Sequence, residues 1–178
     1  MIVMVTGHRP PRIGGYHVPN PTEMWVRDTL HRVLESLRGR FPDGLEAISG
    51  MALGTDQIFA KVCLHLDIPF TAAIPFRGQE RAWPEDSQDS YRRLVRRASR
   101  VVVVDETPGY SVDNPKAKFL VRNKWMLDQA GLVIAVWDGS GGGTNHAVLE
   151  AQRRGMRMMV LDPMRRTIRN VGIGDPLT

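Results

Sequence analysis

Three stretches of this sequence concentrate glycine, hydroxyl and charged side chains in the way an anion site requires. They are Thr6-Gly7-His8-Arg9, Ser49-Gly50-Met51-Ala52-Leu53-Gly54-Thr55-Asp56, and Asp138-Gly139-Ser140-Gly141-Gly142-Gly143-Thr144. Glycine lets the backbone approach a ligand closely and accepts positive φ. A glycine turn that opens a helix also presents free N–H groups at the positive end of the helix dipole. Gly54-Thr55 and Gly141-Gly142-Gly143-Thr144 have that form, which suits a ligand carrying phosphate and ribose. His8 and Arg9 add proton transfer and charge-assisted hydrogen bonding. The alternative is plainer: tight strand-to-helix turns and a surface loop.

Two carboxylates stand beside these turns and are the candidates for catalysis. Asp56 has the position of a general base or an acceptor for a substrate hydroxyl, and equally that of a first-turn carboxylate stabilising a helix. Asp138 either binds ribose or organises its own turn through its side chain. Trp83, set in a polar loop among Glu80, Arg81 and Glu85, is the candidate for stacking a base. Trp137, at a strand end, reads as core, and His146 as a solvated helix residue.

Other chemistries drop out. No lysine follows either glycine turn, so the triphosphate loop GxxxxGK[ST] is absent, and no GxGxxG follows the first strand. No spaced His/Asp/Glu cluster suggests a metal, and no cofactor is implied. The single cysteine, Cys63, forms no internal disulfide.

The elements that must position these residues follow from periodicity. Ile2–Val5, Leu45–Ser49, Pro69–Ile74, Val101–Val104, Leu132–Val136 and Arg157–Leu161 are apolar runs of strand length. Helical patterns alternate with them. Asn20-Pro21-Thr22-Glu23 supplies an N-cap, a proline at N1 and an acid at N3; Val26, Leu30, Val33 and Leu37 then share a face, and Gly39 can end the helix. Val101–Val104 has no polar alternation, as expected where both faces of a strand are covered. A Gly/Pro/Asn-rich loop spans Asp105–Pro115. The alternation predicts an α/β, Rossmann-like three-layer sandwich whose sheet has about six strands, mainly parallel. We expect one domain over residues 1–178, with its core in about 1–162 and a weakly patterned tail at 163–178.

The 178-residue chain is 42% hydrophobic and 24% charged, an ordinary globular balance. No apolar run approaches the ~20 residues that span a bilayer, and the short apolar start is not a signal peptide. A soluble, cytoplasmic protein is expected. The net charge of +5 invites a nucleic-acid partner, but only Lys61, Lys116, Lys118 and Lys124 among 24 basic residues are lysines, a skew that genome composition alone produces.

The ordered set Val5-Thr6-Gly7-His8-Arg9-Pro10, then Ile48 through Asp56, resembles the SLOG superfamily. Its YpsA-like branch is nearest, sharing segments similar to Pro75-Phe76 through Gln79-Glu80 and Trp83, and a helix like Arg122-Asn123-Lys124. The resemblance covers roughly residues 5–160. Ser49–Asp56 is also similar to the DNA-processing protein A family, and Gly142-Gly143-Thr144 to the GGxGTxxE motif of LOG phosphoribohydrolases. It implies a nucleotide-binding Rossmann-like fold with ligand contacts at Gly7, Ser49, Gly50, Gly54, Gly142, Gly143 and Thr144, a possible homodimer, and, if there is catalysis, hydrolysis or transfer at an N-glycosidic bond. The catalytic glutamate of LOG proteins falls at Ala147 here. Glu150 stands three residues beyond, almost a full helical turn on, and does not replace it.

The expected function is therefore binding of a nucleotide or nucleotide-derived ligand by Gly7, His8, Arg9, Ser49, Gly50, Gly54, Thr55, Trp83, Gly141, Gly142, Gly143 and Thr144. Asp56 or Asp138 would serve any hydrolysis. Two rivals stand beside it: a sensor that leaves the nucleotide intact, and a nucleic-acid-binding module using the arginine-rich helix 92–100.

Overall fold

A computed structural model describes residues 1–106 and 115–172. The Asp105–Pro115 loop and the last six residues of the tail therefore fall largely outside the described residues. The elements run β1 (Ile2–Gly7), α1 (Pro21–Arg40), β2 (Glu46–Ser49), α2 (Thr55–His65), β3 (Phe70–Ile74), α3 (Glu85–Arg97) and β4 (Arg100–Val103). Then come α4 (Pro115–Gln129), β5 (Leu132–Val136), α5 (Gly143–Arg153), β6 (Met158–Asp162) and β7 (Thr167–Val171).

Seven strands form one sheet in the order β4-β3-β2-β1-β5-β6-β7. All pairings are parallel except β6 with β7. The mainly parallel sheet of about six strands is borne out, with one strand beyond the six apolar runs: Thr167–Val171, inside the weakly patterned tail, pairs antiparallel to β6. Four of its five residues are exposed, so it carries no apolar run to announce it.

Helices cover both faces. Val26, Leu30 and Leu34 of α1, Phe59 and Val62 of α2, and Tyr91 and Leu94 of α3 bury against one side of the sheet. Met126 and Leu127 of α4 and Val148 and Ala151 of α5 bury against the other. The start of α1 forms as its residues dictate: Asn20 Oδ1 accepts from the N–H groups of Thr22 (3.1 Å) and Glu23 (2.9 Å), satisfying two orphan donors. The helix passes Gly39 and ends at Arg40.

One strand differs from its reading. Val101–Val104 reads as covered on both faces, yet Val101 is 46% exposed. The cause is topological: β4 is the sheet edge, so its β-branched run reflects strand propensity rather than full burial. Likewise α3 ends at Arg97, and Arg100 begins β4.

Candidate functional site

The strand order reverses between β1 and β5, and the helices that follow these two strands pack on opposite faces. Such a switch point leaves a crevice beyond the strand ends. A cleft of about 540 Å³ opens there. Thr6, Gly7 and Arg9 line it from the end of β1, Ala52 and Asp56 from the turn after β2, and Gly142, Gly143 and Thr144 from the start of α5. The remaining wall is α4, which contributes Lys116, Phe119, Arg122 and Asn123. Turns far apart in the chain thus converge on one crevice.

Its floor is a buried ion pair. Asp56 and Arg122 are 6% and 5% exposed, and Arg122 Nη1 lies 3.6 Å from Asp56 Oδ2. That distance allows attraction but exceeds a hydrogen bond. Asp56 Oδ2 instead accepts from the Ala52 N–H at 3.2 Å. Nε and Nη1 of Arg122 have no hydrogen-bond partner among the described residues. Burial pushes the Asp56 carboxyl above its ordinary range, opposed by Arg122, the Ala52 N–H and Arg9. The cleft therefore holds a guanidinium with two nitrogens desolvated and without hydrogen-bond partners among the described residues. Arg9 adds a second cation, its guanidinium 5.6 Å from the centre of the Phe119 ring, while Arg122 lies 6.0 Å from the same ring.

Gly50 makes room for this arrangement. A Cβ there would stand 1.5 Å from Arg122 Nη1, so any side chain would displace the guanidinium. Gly54 serves the neighbouring turn: its φ is +93°, and a Cβ would stand 2.7 Å from the His8 carbonyl oxygen.

Several expected ligand residues brace the turns rather than line the cleft. Ser49 Oγ donates to the Asp56 carbonyl at 2.7 Å and accepts from the Met51 N–H at 3.1 Å, closing the loop after β2. Thr55 donates to the His8 carbonyl through both its hydroxyl (3.0 Å) and its N–H (3.2 Å). His8 is buried, with Nε2 2.8 Å from Asp138 Oδ1. Asp138 in turn accepts from the Ser140 N–H at 2.9 Å and from the Ser140 hydroxyl. Partial burial alone would raise its pKa, but the two Ser140 donors and His8 outweigh that and hold it at about 2. Asp138 faces a different hollow, shared with Trp137, Val160 and Arg169. Its geometry is that of a turn organiser.

Trp83 does not line the cleft. It packs against the α1–α3 side of the core, its ring edge-to-face with Tyr91 at 5.5 Å, which explains an indole in a polar loop. Gly141 is exposed and lies just outside the lining, whereas His146 is exposed and lies within it. Trp137 is buried as core and donates from Nε1 to the Ser140 carbonyl at 2.7 Å.

The reading from sequence missed Lys116, Phe119, Arg122 and Asn123 as lining residues. One signal was available: Arg122 sits four residues before Met126, on the stripe that α4 buries. Lys118, four residues earlier, is buried on the same stripe, and cations at such positions mark partners to meet. Among the described residues no group of His, Cys, Asp and Glu could hold a metal, and no helix is long and apolar enough to cross a membrane.

Comparison with known proteins agrees with this architecture. The chain is 33% identical over 146 residues to the uncharacterized SPbeta prophage-derived protein YoqJ of Bacillus subtilis (strain 168), spanning 75% of this chain and 84% of YoqJ. It superposes on DNA processing protein A (DprA) of Streptococcus pneumoniae with a TM-score of 0.63 at 17% identity, spanning 90% of this chain and 50% of that one. Against DprA of Helicobacter pylori, whose structure was reported for its single-stranded DNA binding mode, the TM-score is 0.59 at 20% identity, spanning 91% and 65%. At these identities the likeness to DprA is one of fold. Residues 3–162 match the YspA SLOG family model, and the chain belongs to that family.

Proposed function

We propose that the cleft binds the phosphate of a nucleotide or nucleotide-derived ligand. One observation carries this reading: Arg122 is buried in the cleft with Nε and Nη1 lacking hydrogen-bond partners among the described residues. A desolvated donor left unmade is costly, so an anion that accepts from it gains more than it would from a solvated arginine. The start of α5 lines the same cleft, and Gly142 offers no side chain to cap it. A Cβ on Gly143 would meet nothing within 4 Å, so the protein's own packing does not require glycine there, whereas a close-lying phosphate does. Arg9 adds charge from the β1 side, and Phe119 and Leu120 give an apolar wall for the rest of the ligand. The single-stranded DNA bound by the DprA neighbour is built from the same chemical group.

A thermal-shift screen over nucleotides tests it. A true ligand at about 100 times its Kd stabilises by ~2.7 kcal/mol. Gly143→Asp, which sets a negative charge against the phosphate, removes that shift; an unchanged shift would take the glycine turn out of the site.

One observation favours a second reading, hydrolysis or transfer at an N-glycosidic bond: Asp56 is the one carboxylate among the described lining residues, and burial raises its pKa in the direction a general acid needs. Incubation with nucleoside monophosphates and dinucleotides separates the two. Free base whose release depends on Asp56 assigns hydrolysis; intact bound nucleotide assigns a sensor.

A further inference from the structure

We infer that the groove between α2 and α3, on the helix layer and apart from the cleft, is a track for single-stranded nucleic acid held through its phosphates. Lys61 and His65 line it from α2, Arg93 and Arg97 from α3, with Leu64 and Leu94 beneath them, in a groove of about 690 Å³. The residues of each pair stand four apart, about 6 Å along a helix axis. That is comparable to the spacing of successive phosphodiesters in an extended strand.

The cations of this groove differ from those surface arginines that neighbouring side chains hold. Arg92, on the same helix, donates to Gln88 at 2.8 Å and to Asp89 at 3.3 Å. Arg153 and Arg154, on the opposite layer, are both held by Glu150. Lys61, Arg93 and Arg97 make no ion pair among the described residues, and no carboxylate lines the groove. Arg93 and Arg97 are also like charges at i and i+4, a mutually unfavourable pair that an anion lying along the groove relieves. Glu23 and Asp86 line a neighbouring hollow that shares Lys61, and they bound the track on that side.

The shape selects the occupant. A groove lined from two neighbouring helices is predicted to favour one strand over a duplex. Leu94 is buried and Leu64 half-buried, so no exposed apolar side chain is offered to a bilayer, as a surface-seeking helix requires. His65 is the one ring in the described lining, and with no Trp, Tyr or Phe beside it binding is predicted to depend little on base identity.

Fluorescence anisotropy of the full chain with a labelled oligothymidylate at low salt tests the inference. Three phosphate contacts, at Lys61, Arg93 and Arg97, predict a log–log salt slope of about −2. Changing Arg93 and Arg97 together to Glu weakens binding at least ~tenfold, while Arg157→Glu with Arg166→Glu, the same change in net charge on another surface, alters it less than ~twofold. Saturating the cleft with a mononucleotide leaves the strand bound. The inference is overturned by equal loss in both double variants, by undiminished binding after R93E/R97E, or by no binding at low salt. Displacement by the mononucleotide, equal affinity for a duplex, or displacement by phosphatidylserine vesicles or polyglutamate would overturn it as well.

Discussion

Asp138 and Asp56 each follow a strand of the same sheet edge, and the protein treats them in opposite ways. Asp138 sits near the surface with its Oδ1 engaged by Ser140 and His8, and its pKa is held at about 2. Asp56 is deeply buried with a raised pKa, and its counter-ion, Arg122, has nitrogens without hydrogen-bond partners among the described residues. Asp138 is committed through Oδ1 to its own turn. A buried pair with unused donors is costly to the fold and pre-organised for an anion. Of two carboxylates that look equivalent in the sequence, one holds a turn together and the other underlies the cleft.

The strongest way to break this comparison is to remove one member of the buried pair. Arg122→Met strands the Asp56 charge and is expected to cost ~3–5 kcal/mol in chemical denaturation. Adding Asp56→Asn to it recovers much of that loss, because both charges are then gone. A neutral single variant would show that the pair is solvated and the contrast false.

Gly50→Ala attacks the same pair from below. Its Cβ would occupy the place of Arg122 Nη1, and a loss of ~1–3 kcal/mol is expected from overpacking, along with a weakened nucleotide thermal shift. An unchanged melting temperature would mean that the guanidinium has room to move.

Asp138→Asn tests the other side, and pH reads out its sign. A depressed carboxylate stabilises the fold at pH above its unfolded value of ~3.9, and that contribution fades as pH falls through its folded value of about 2. The variant should therefore lose up to ~2 kcal/mol at neutral pH and converge with the wild type between about pH 4 and 2. Asp56 carries the opposite sign: a raised carboxyl favours the fold below the unfolded value, and that contribution is lost as pH rises through the folded value. Acid-limb denaturation curves that move together in Asp138→Asn and Asp56→Asn would sink the distinction.

The smallest effect concerns Trp83. Trp83→Phe keeps an aromatic edge against Tyr91 and should cost less than ~1.5 kcal/mol, with the nucleotide shift intact. A lost shift at retained stability would return the indole to the binding site.

The apolar strand runs and the N-cap at Asn20 made the alternating architecture legible, because continuous β-branched segments and capping side chains act locally. β7 was not legible: Thr-Ile-Arg-Asn-Val at a sheet edge needs only one buried residue, and polar side chains facing water leave no periodic trace. The glycine turns of the cleft were visible for the same local reason as the caps. Phe119 and Arg122 were not, because nothing in a helix spanning Pro115–Gln129 says which strand ends it will lie across.

By itself, then, the sequence determined the layers and the turns: backbone freedom at glycine, helix starts and buried strands depend on neighbours along the chain. Only the tertiary structure decided what each charged group became. The state of Asp56, Asp138 and Arg122 depends on burial and on partners up to 130 positions away, as His8 is from Asp138, and solvation free energy is set by surroundings that only folding assembles.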